Sequence, residues 1–370
     1  MHSTTINFVD VKKALRAQDE PQLREIIPEF IQGAQDKFDQ VLQQMLFVAA
    51  TEKPPEGPPL GVVYLDTVRD LATLYEGDQA PGRLMERAIQ YFCGLNLEEF
   101  DKEVTRLLPE DMSELVFVDD FEEYVREGER EKAVHEAVKL LVMMDNQFYL
   151  VEILTEIAAS TMQHGGLPLI IAGSVLKSVD FVDSAQFKTL IYMLTDYLSG
   201  LHIGWDEKII ENEADGKVVF PPYYSAAFQA EAMWDIIYLT YAQQIWDGAR
   251  MKVDSLRKYI QRYLEEDSFL SPAIDSSVNI TPEQGTLEDI ENALRENRKK
   301  EAHSLILGYA RNGGLGTLYR NFTDLFLEGV HASNPEKLIL FNAYRTAIAY
   351  LNPPEQYHAL LKASDLIQFN

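Results

Sequence analysis

The chain has 370 residues, 46% of them hydrophobic and 11% aromatic, with 59 acidic against 33 basic side chains and a formal charge of −26. That length supplies one large or two medium domains able to bury roughly three quarters of the unfolded surface. The acidity is spread along the sequence and repels phosphate backbones and anionic headgroups, so nucleic acid and membranes are not expected as partners.

The start, "MHSTTINFVDVKKALRA", places no apolar run behind a basic region, so no signal peptide is expected. "FVDVKKALRAQDEPQ" from Phe8 then offers an acidic first turn, a Leu-Arg step and a polar exit, which is the pattern of a helix and its end. "TEKPPEGPP", Thr51 to Pro59, predicts a stiff extended loop. After it, "PPLGVVYLDTVRDLATL" from Pro58 and "APGRLMERAIQYFCGL" predict two more helices. Cys93, the only cysteine, reads as a buried structural thiol. Without a second cysteine neither a disulfide nor a cysteine-based zinc site can form, as suits a reducing cytoplasm.

The same order returns. "FVDDFEEYVREGEREKA" from Phe117 resembles the opening helix, and "REKAVHEAVKLLV", Arg130 to Val142, follows it. "HGGLPLIIAGSVLKSV" from His164 and "AQFKTLIYMLTDYLSGL" close this second copy. Its run from Leu167 to Leu176 is about half the length of a membrane span. Far downstream "TLEDIENALRENRKKEA" from Thr286, "KKEAHSLILGYAR" from Lys299 to Arg311, "HASNPEKLILFNAYRTAI" from His331 and "PPEQYHALLKASDLIQF" supply a third. "RNGGLGTLYRNF", Arg311 to Phe322, lacks the lysine ending and preceding strand of a phosphate loop, so Gly313 or Gly314 is expected to supply a left-handed C-cap instead.

The expected fold is therefore all-α, with three pseudo-repeats of about five helices each packed into a compact or curved array. Repeat 1 covers 8–95, repeat 2 covers 117–201 and repeat 3 covers 286–370. Between them, 202–285 has no counterpart and reads as an aromatic-rich helical insertion carrying Trp205, Trp234 and Trp246. In "YYSAAFQAEAMWDIIYLTYAQQIW" aromatic and apolar residues recur at three- and four-residue steps, so Trp234, Tyr238 and Tyr241 are expected to be largely buried. "GKVVFPPYY" is the nearest approach to a strand, and Pro221 and Pro222 break it.

Two groups of residues could carry function. His135 pairs with His303 by repeat position, and His164 with His331. If the four converge, neutral imidazoles would serve as acid/base groups or metal ligands. The plainer account makes them surface residues and helix ends. "EQYH", Glu355 to His358, has the spacing of carboxylate-bridged di-iron helices, but only one such pair occurs. Tyr223, Tyr224, Trp234 and Tyr238 are the candidate ligand-binding aromatics, in a cavity under the insertion.

"HGGLPLIIAGSVLKSVDF", followed by "LIYMLTDYLSGL", resembles the histidine-containing, all-helical questin oxidase-like family. The resemblance implies an oxygen- and NADPH-dependent ring oxidation of an aromatic polyketide-type substrate, with His164 and His331 in the family's histidine positions. No second histidine follows Pro168, where the family carries one.

The leading expectation is a soluble, cytoplasmic helical-repeat protein that binds a protein partner or a small apolar or aromatic molecule. The alternative is an oxidoreductase using the paired histidines. A cofactor, NADPH or a metal, enters only with that alternative.

Overall fold

A computed structural model describes residues 7–32, 34–55, 57–75, 82–100, 117–144, 146–161, 165–204, 218–265 and 280–369. The fold is all-helical, with eighteen helices among the described residues. The first five are α1 (Phe8–Ala17), α2 (Glu20–Ile31), α3 (Gln35–Thr51), α4 (Leu60–Ala72) and α5 (Gly82–Cys93). The next five are α6 (Val118–Glu127), α7 (Arg130–Met143), α8 (Gln147–Ser160), α9 (Leu167–Ser178) and α10 (Ser184–Ser199). The insertion forms α11 (Phe220–Ala230), α12 (Met233–Gly248) and α13 (Val253–Glu265). The last five are α14 (Leu287–Arg295), α15 (Lys299–Arg311), α16 (Leu315–Glu328), α17 (Pro335–Ile348) and α18 (Glu355–Asp365).

Each of the three five-helix segments opens with the same local device. The first helix ends on a left-handed residue: Gln18 at φ 48°, Gly128 at φ 82° and Asn297 at φ 55°. The next residue's N–H bonds back to the helix, Asp19 to Ala14, Glu129 to Tyr124 and Arg298 to Ala293. One residue later the second helix begins, at Glu20, Arg130 and Lys299. A single positive-φ residue thus reverses the chain into a helical hairpin, and glycine and asparagine pay least for it. The second helix then packs on the fifth in every segment, α2 on α5, α7 on α10 and α15 on α18. Ion pairs span each junction: Arg24 to Glu86 at 2.8 Å, Arg130 to Asp196 at 2.6 Å and Lys299 to Asp365 at 3.0 Å.

The fourth helices meet at the centre. α4 packs on both α9 and α17, and α12 of the insertion packs on α9 and α17 from the other side. These four helices are buried over most of their length, and one hydrophobic core runs through all three segments and the insertion. The insertion docks by tyrosines on glycines. Tyr238 lies so close to Gly166 (φ 74°) that a Cβ there would be 2.2 Å from its ring, and a Cβ at Gly173 would be 2.8 Å from the Tyr241 ring.

Several expectations change. Pro221 and Pro222 start α11 rather than break a strand, because proline's missing N–H costs nothing in a first helical turn. A two-residue ladder pairs β1 (Glu52–Lys53) with β2 (Glu98–Glu99), so the proline-rich loop leaves α3 through a minimal strand. Tyr238 and Tyr241 are buried, but Trp234 is only half-buried on the first turn of α12. Gly313 takes the left-handed position after α15, at φ 87°. Among the described residues no helix is long and apolar enough to cross a membrane.

Candidate functional site

The histidines have separate surroundings. His303 Nε2 lies 2.8 Å from Asp365 Oδ1, in the junction between α15 and α18. His331, in the turn before α17, has Nε2 3.2 Å from Gln368 Oε1. His135 is half-buried on α7. His164 lies outside the described residues. Counted from the first residues of α7 and α15, His135 is sixth and His303 fifth, so they sit about 100° apart around their helices. The residue of α7 matching His303 is Val134, which is buried. The conserved geometry of the hairpin turn fixes this register, and it pairs Arg130 with Lys299 and Asp196 with Asp365, each 169 residues apart. Among the described residues no group of three or more His, Cys, Asp or Glu side chains could hold a metal ion.

The candidate aromatics divide. Tyr224 and Tyr238 are buried, while Tyr223 and Trp234 are half-buried. Tyr238 packs on Tyr263 with ring centroids 4.3 Å apart. Tyr224 tilts against Phe228 at 5.8 Å, and its buried hydroxyl has no hydrogen-bond partner. Among the described residues a space beneath α12, bounded by Thr67, Asp70, Lys177, Thr240, Tyr241 and Gln244 among others, is ≈ 10 Å³. That is room for one water, not for an aromatic ligand.

What does occupy the centre is a charged cluster. Asp66 on α4 is wholly buried and accepts from Arg69 at 2.6 Å, from Lys177 of α9 at 2.9 Å and from the Tyr241 hydroxyl of α12 at 2.9 Å. Asp70 accepts from Lys177 at 2.6 Å and from Asn342 of α17 at 3.3 Å. Ser174 donates to the Tyr241 hydroxyl at 3.0 Å. Burial pushes the Asp66 carboxyl up. At Asp70 burial acts the same way, but Lys177 and Arg69 outweigh it and hold that carboxyl below its ordinary value. Lys177 keeps its proton firmly: burial opposes the charge, and the two carboxylates more than compensate. Perturbed groups of this kind mark active sites and structural ion networks alike. With space for a single water and contributors from all four central helices, this cluster works as a lock between α4, α9, α12 and α17.

A far roomier space lies between the first two segments. α3 runs along α10, which brings the proline-rich loop over the C-terminal end of α10. Between them opens a cleft of ≈ 540 Å³. Pro54, Pro55, Pro58 and Pro59 form one wall, Leu167, Met193, Tyr197 and Leu201 the other, and Lys53, Glu98, Arg130 and Asp196 supply the charge. Arg130 grips both carboxylate oxygens of Asp196, Nε to Oδ1 at 3.1 Å and Nη2 to Oδ2 at 2.6 Å. Lys53 is 3.7 Å from Asp196 Oδ2, beyond hydrogen-bond reach, with its ammonium 5.8 Å above the Phe100 ring. Tyr197 is half-buried, and burial pushes its phenol up to about 12, so it stays a donor at neutral pH. A second space of ≈ 90 Å³, lined by Leu60, Tyr91, Leu95 and Leu97, shares Pro54, Pro58 and Pro59 with the cleft.

No family model matches this chain, and no curated protein or solved structure matches it.

Sequence reasoning marked the loop "TEKPPEGPP" but not what faces it, because Arg130, Leu167 and Asp196 come from three helices of another segment. The central cluster did leave a trace. Asp66 stands in "VVYLDTV" and Lys177 ends "LPLIIAGSVLK", and a charge inside a nearly continuous apolar helix requires a buried partner. Glu152 in "QFYLVEILTEIAAS" follows the same rule. It is wholly buried and accepts the backbone N–H groups of Arg250, Met251 and Lys252 at 2.6, 2.7 and 3.1 Å, tying the start of α13 to α8.

Proposed function

We propose that this is a binding protein whose ligand is a small molecule held in the cleft between the first two five-helix segments. The observation that carries the reading is the cleft itself, ≈ 540 Å³ with a proline wall and a few convergent polar groups. Its volume falls in the range of about 300–1,000 Å³ typical of small-molecule sites, and its lining mixes prolines and aliphatic side chains with charged groups. Prolines hold their backbone with little freedom left to lose, so the wall is preorganised and binding costs less ordering. This reading keeps the small apolar or aromatic ligand expected from the sequence but moves it from beneath the insertion to the α3–α10 boundary. Oxidoreductase chemistry would need the paired histidines to converge on a substrate, and Asp365 and Gln368 already engage two of them.

Native mass spectrometry of the purified protein, together with a thermal-shift screen of small metabolites, tests the proposal. Leu201 lines the cleft and is half-buried at the edge of the core, so Leu201→Trp adds bulk that fills the space. The wild type should retain or bind a small molecule that the folded Leu201→Trp protein does not. Equal behaviour of the two proteins throughout the screen counts against the cleft as the site.

A further inference from the structure

Once the internal pairs of the cleft are set aside, the groups left over are mostly hydrogen-bond donors. Arg130 and Asp196 satisfy one another through two bonds. Glu98 is exposed on β2, where water screens it. Lys53 remains, its side chain 29% exposed and its ammonium 3.7 Å from a carboxylate oxygen that Arg130 already holds at 2.6 Å. Tyr197, half-buried, lines the same space. Two helix starts border it, α4 behind Pro59 and α9 at Leu167, and neither has a side-chain cap. Helix starts carry partial positive charge, which adds to the field of Lys53.

The geometry points to an anionic, amphipathic ligand: a carboxylate or sulfonate group at Lys53 and Tyr197, with an aromatic or aliphatic body along the prolines, Leu167 and Met193. An anion supplies a close acceptor to an ammonium whose carboxylate neighbour is 3.7 Å away, and the charge-assisted bond it forms is the strong kind. A neutral apolar molecule would leave those donors unmade and lose their water, which costs affinity. The apolar wall, extended by the ≈ 90 Å³ space behind the same prolines, selects against a bare inorganic anion. Repulsion from the acidic surface at −26 makes such a site depend on these local donors rather than on long-range steering.

This inference rests on the cleft being the binding site, and two fluorescent probes separate the two claims. One is 8-anilinonaphthalene-1-sulfonate, an anionic aromatic molecule. The other is N-phenyl-1-naphthylamine, which has a similar body without the sulfonate. Both are titrated into the full-length wild type, Lys53→Met, Lys53→Arg and Leu201→Trp, each checked for helical content by circular dichroism. The anionic probe should bind the wild type more tightly than the neutral one. It should weaken about tenfold in Lys53→Met, recover in Lys53→Arg and be lost in Leu201→Trp, while the neutral probe ignores Lys53. Similar affinities for both probes, with Lys53→Met unchanged and Leu201→Trp blocking both, would overturn the anion assignment and leave the cleft standing. Binding of the anionic probe that Leu201→Trp does not affect, or no binding of either probe, overturns both.

Discussion

At the scale of single residues, burial and close approach decide what each side chain can do. His358 on α18 packs edge-on to Phe228 with ring centroids 5.5 Å apart, and burial, helped by Lys362, lowers its pKa below the ordinary 6.5. The unfolded chain therefore takes up this proton at a higher pH than the folded one. Stability contributed by neutral His358 is complete above about pH 6.5 and is lost as pH falls toward the lower folded value. Melting temperatures at pH 7.0 and 5.5 should drop more for the wild type than for His358→Gln, and parallel drops would refute the assignment. His303 is not the freely exchangeable surface residue that its position beside lysines suggests. Its bond to Asp365 predicts a loss of about 1 kcal/mol in His303→Ala by urea unfolding, kept modest because Lys299 still holds Asp365. Gly166→Ala meets both a positive φ and the Tyr238 ring, so it should cost about 3 kcal/mol. In the background of Tyr238→Ala the same change should cost clearly less, since only the backbone strain remains.

Between elements, apolar surface brings helices together and buried charge fixes which ones meet. The cluster of Asp66, Asp70, Lys177 and Tyr241 joins α4, α9 and α12, with Asn342 adding α17. Hydrophobic packing alone would tolerate a slip of one helix along another, whereas a buried carboxylate misplaced by one turn has no cation. Removing one partner of such a set is worse than never having had it. Lys177→Met should destabilise by about 3–5 kcal/mol, and adding Asp70→Asn should restore part of that, because the uncompensated buried charge is the main penalty. Additive losses in the double variant would show that the two residues act independently. Glu152 gives a second case: Glu152→Leu leaves three backbone donors at the start of α13 without their acceptor. Hydrogen exchange should then quicken at α13 before it does at α8.

For the molecule as a whole, the shared core sets the cooperativity. A linear helical array has contacts only between neighbours and can unfold piece by piece. Here α4 touches α17 across a separation of 272 residues at Asp70 and Asn342, and α12 closes the ring between α9 and α17. Calorimetry should show a single transition whose calorimetric and van't Hoff enthalpies agree. Two resolved transitions would mean that the third segment folds on its own. The same ring leaves room for a single water at the centre, and the ligand-sized space lies at a segment boundary, beneath the proline loop where α3 packs along α10.

Helical periodicity, turn residues and caps are local properties, so the sequence by itself determined the all-helical class, about five helices in each of 8–95, 117–201 and 286–370, and a left-handed exit at Gly313 or Gly314, of which the structure uses Gly313. It also determined that Tyr238 and Tyr241 are core, because their three-residue spacing places them on one face of an apolar helix. Tertiary structure alone decided which faces meet. The one-residue offset between His135 and His303 is invisible in an alignment that tolerates slips, yet it turns two matched histidines about 100° apart. Lys53 from the end of β1 in the first segment meets Arg130 and Asp196 from two helices of the second, and no spacing along the chain encodes that meeting. Proximity of that kind depends on how α3 packs along α10 and α7 on α10, contacts between whole helix faces that no local stretch of sequence specifies.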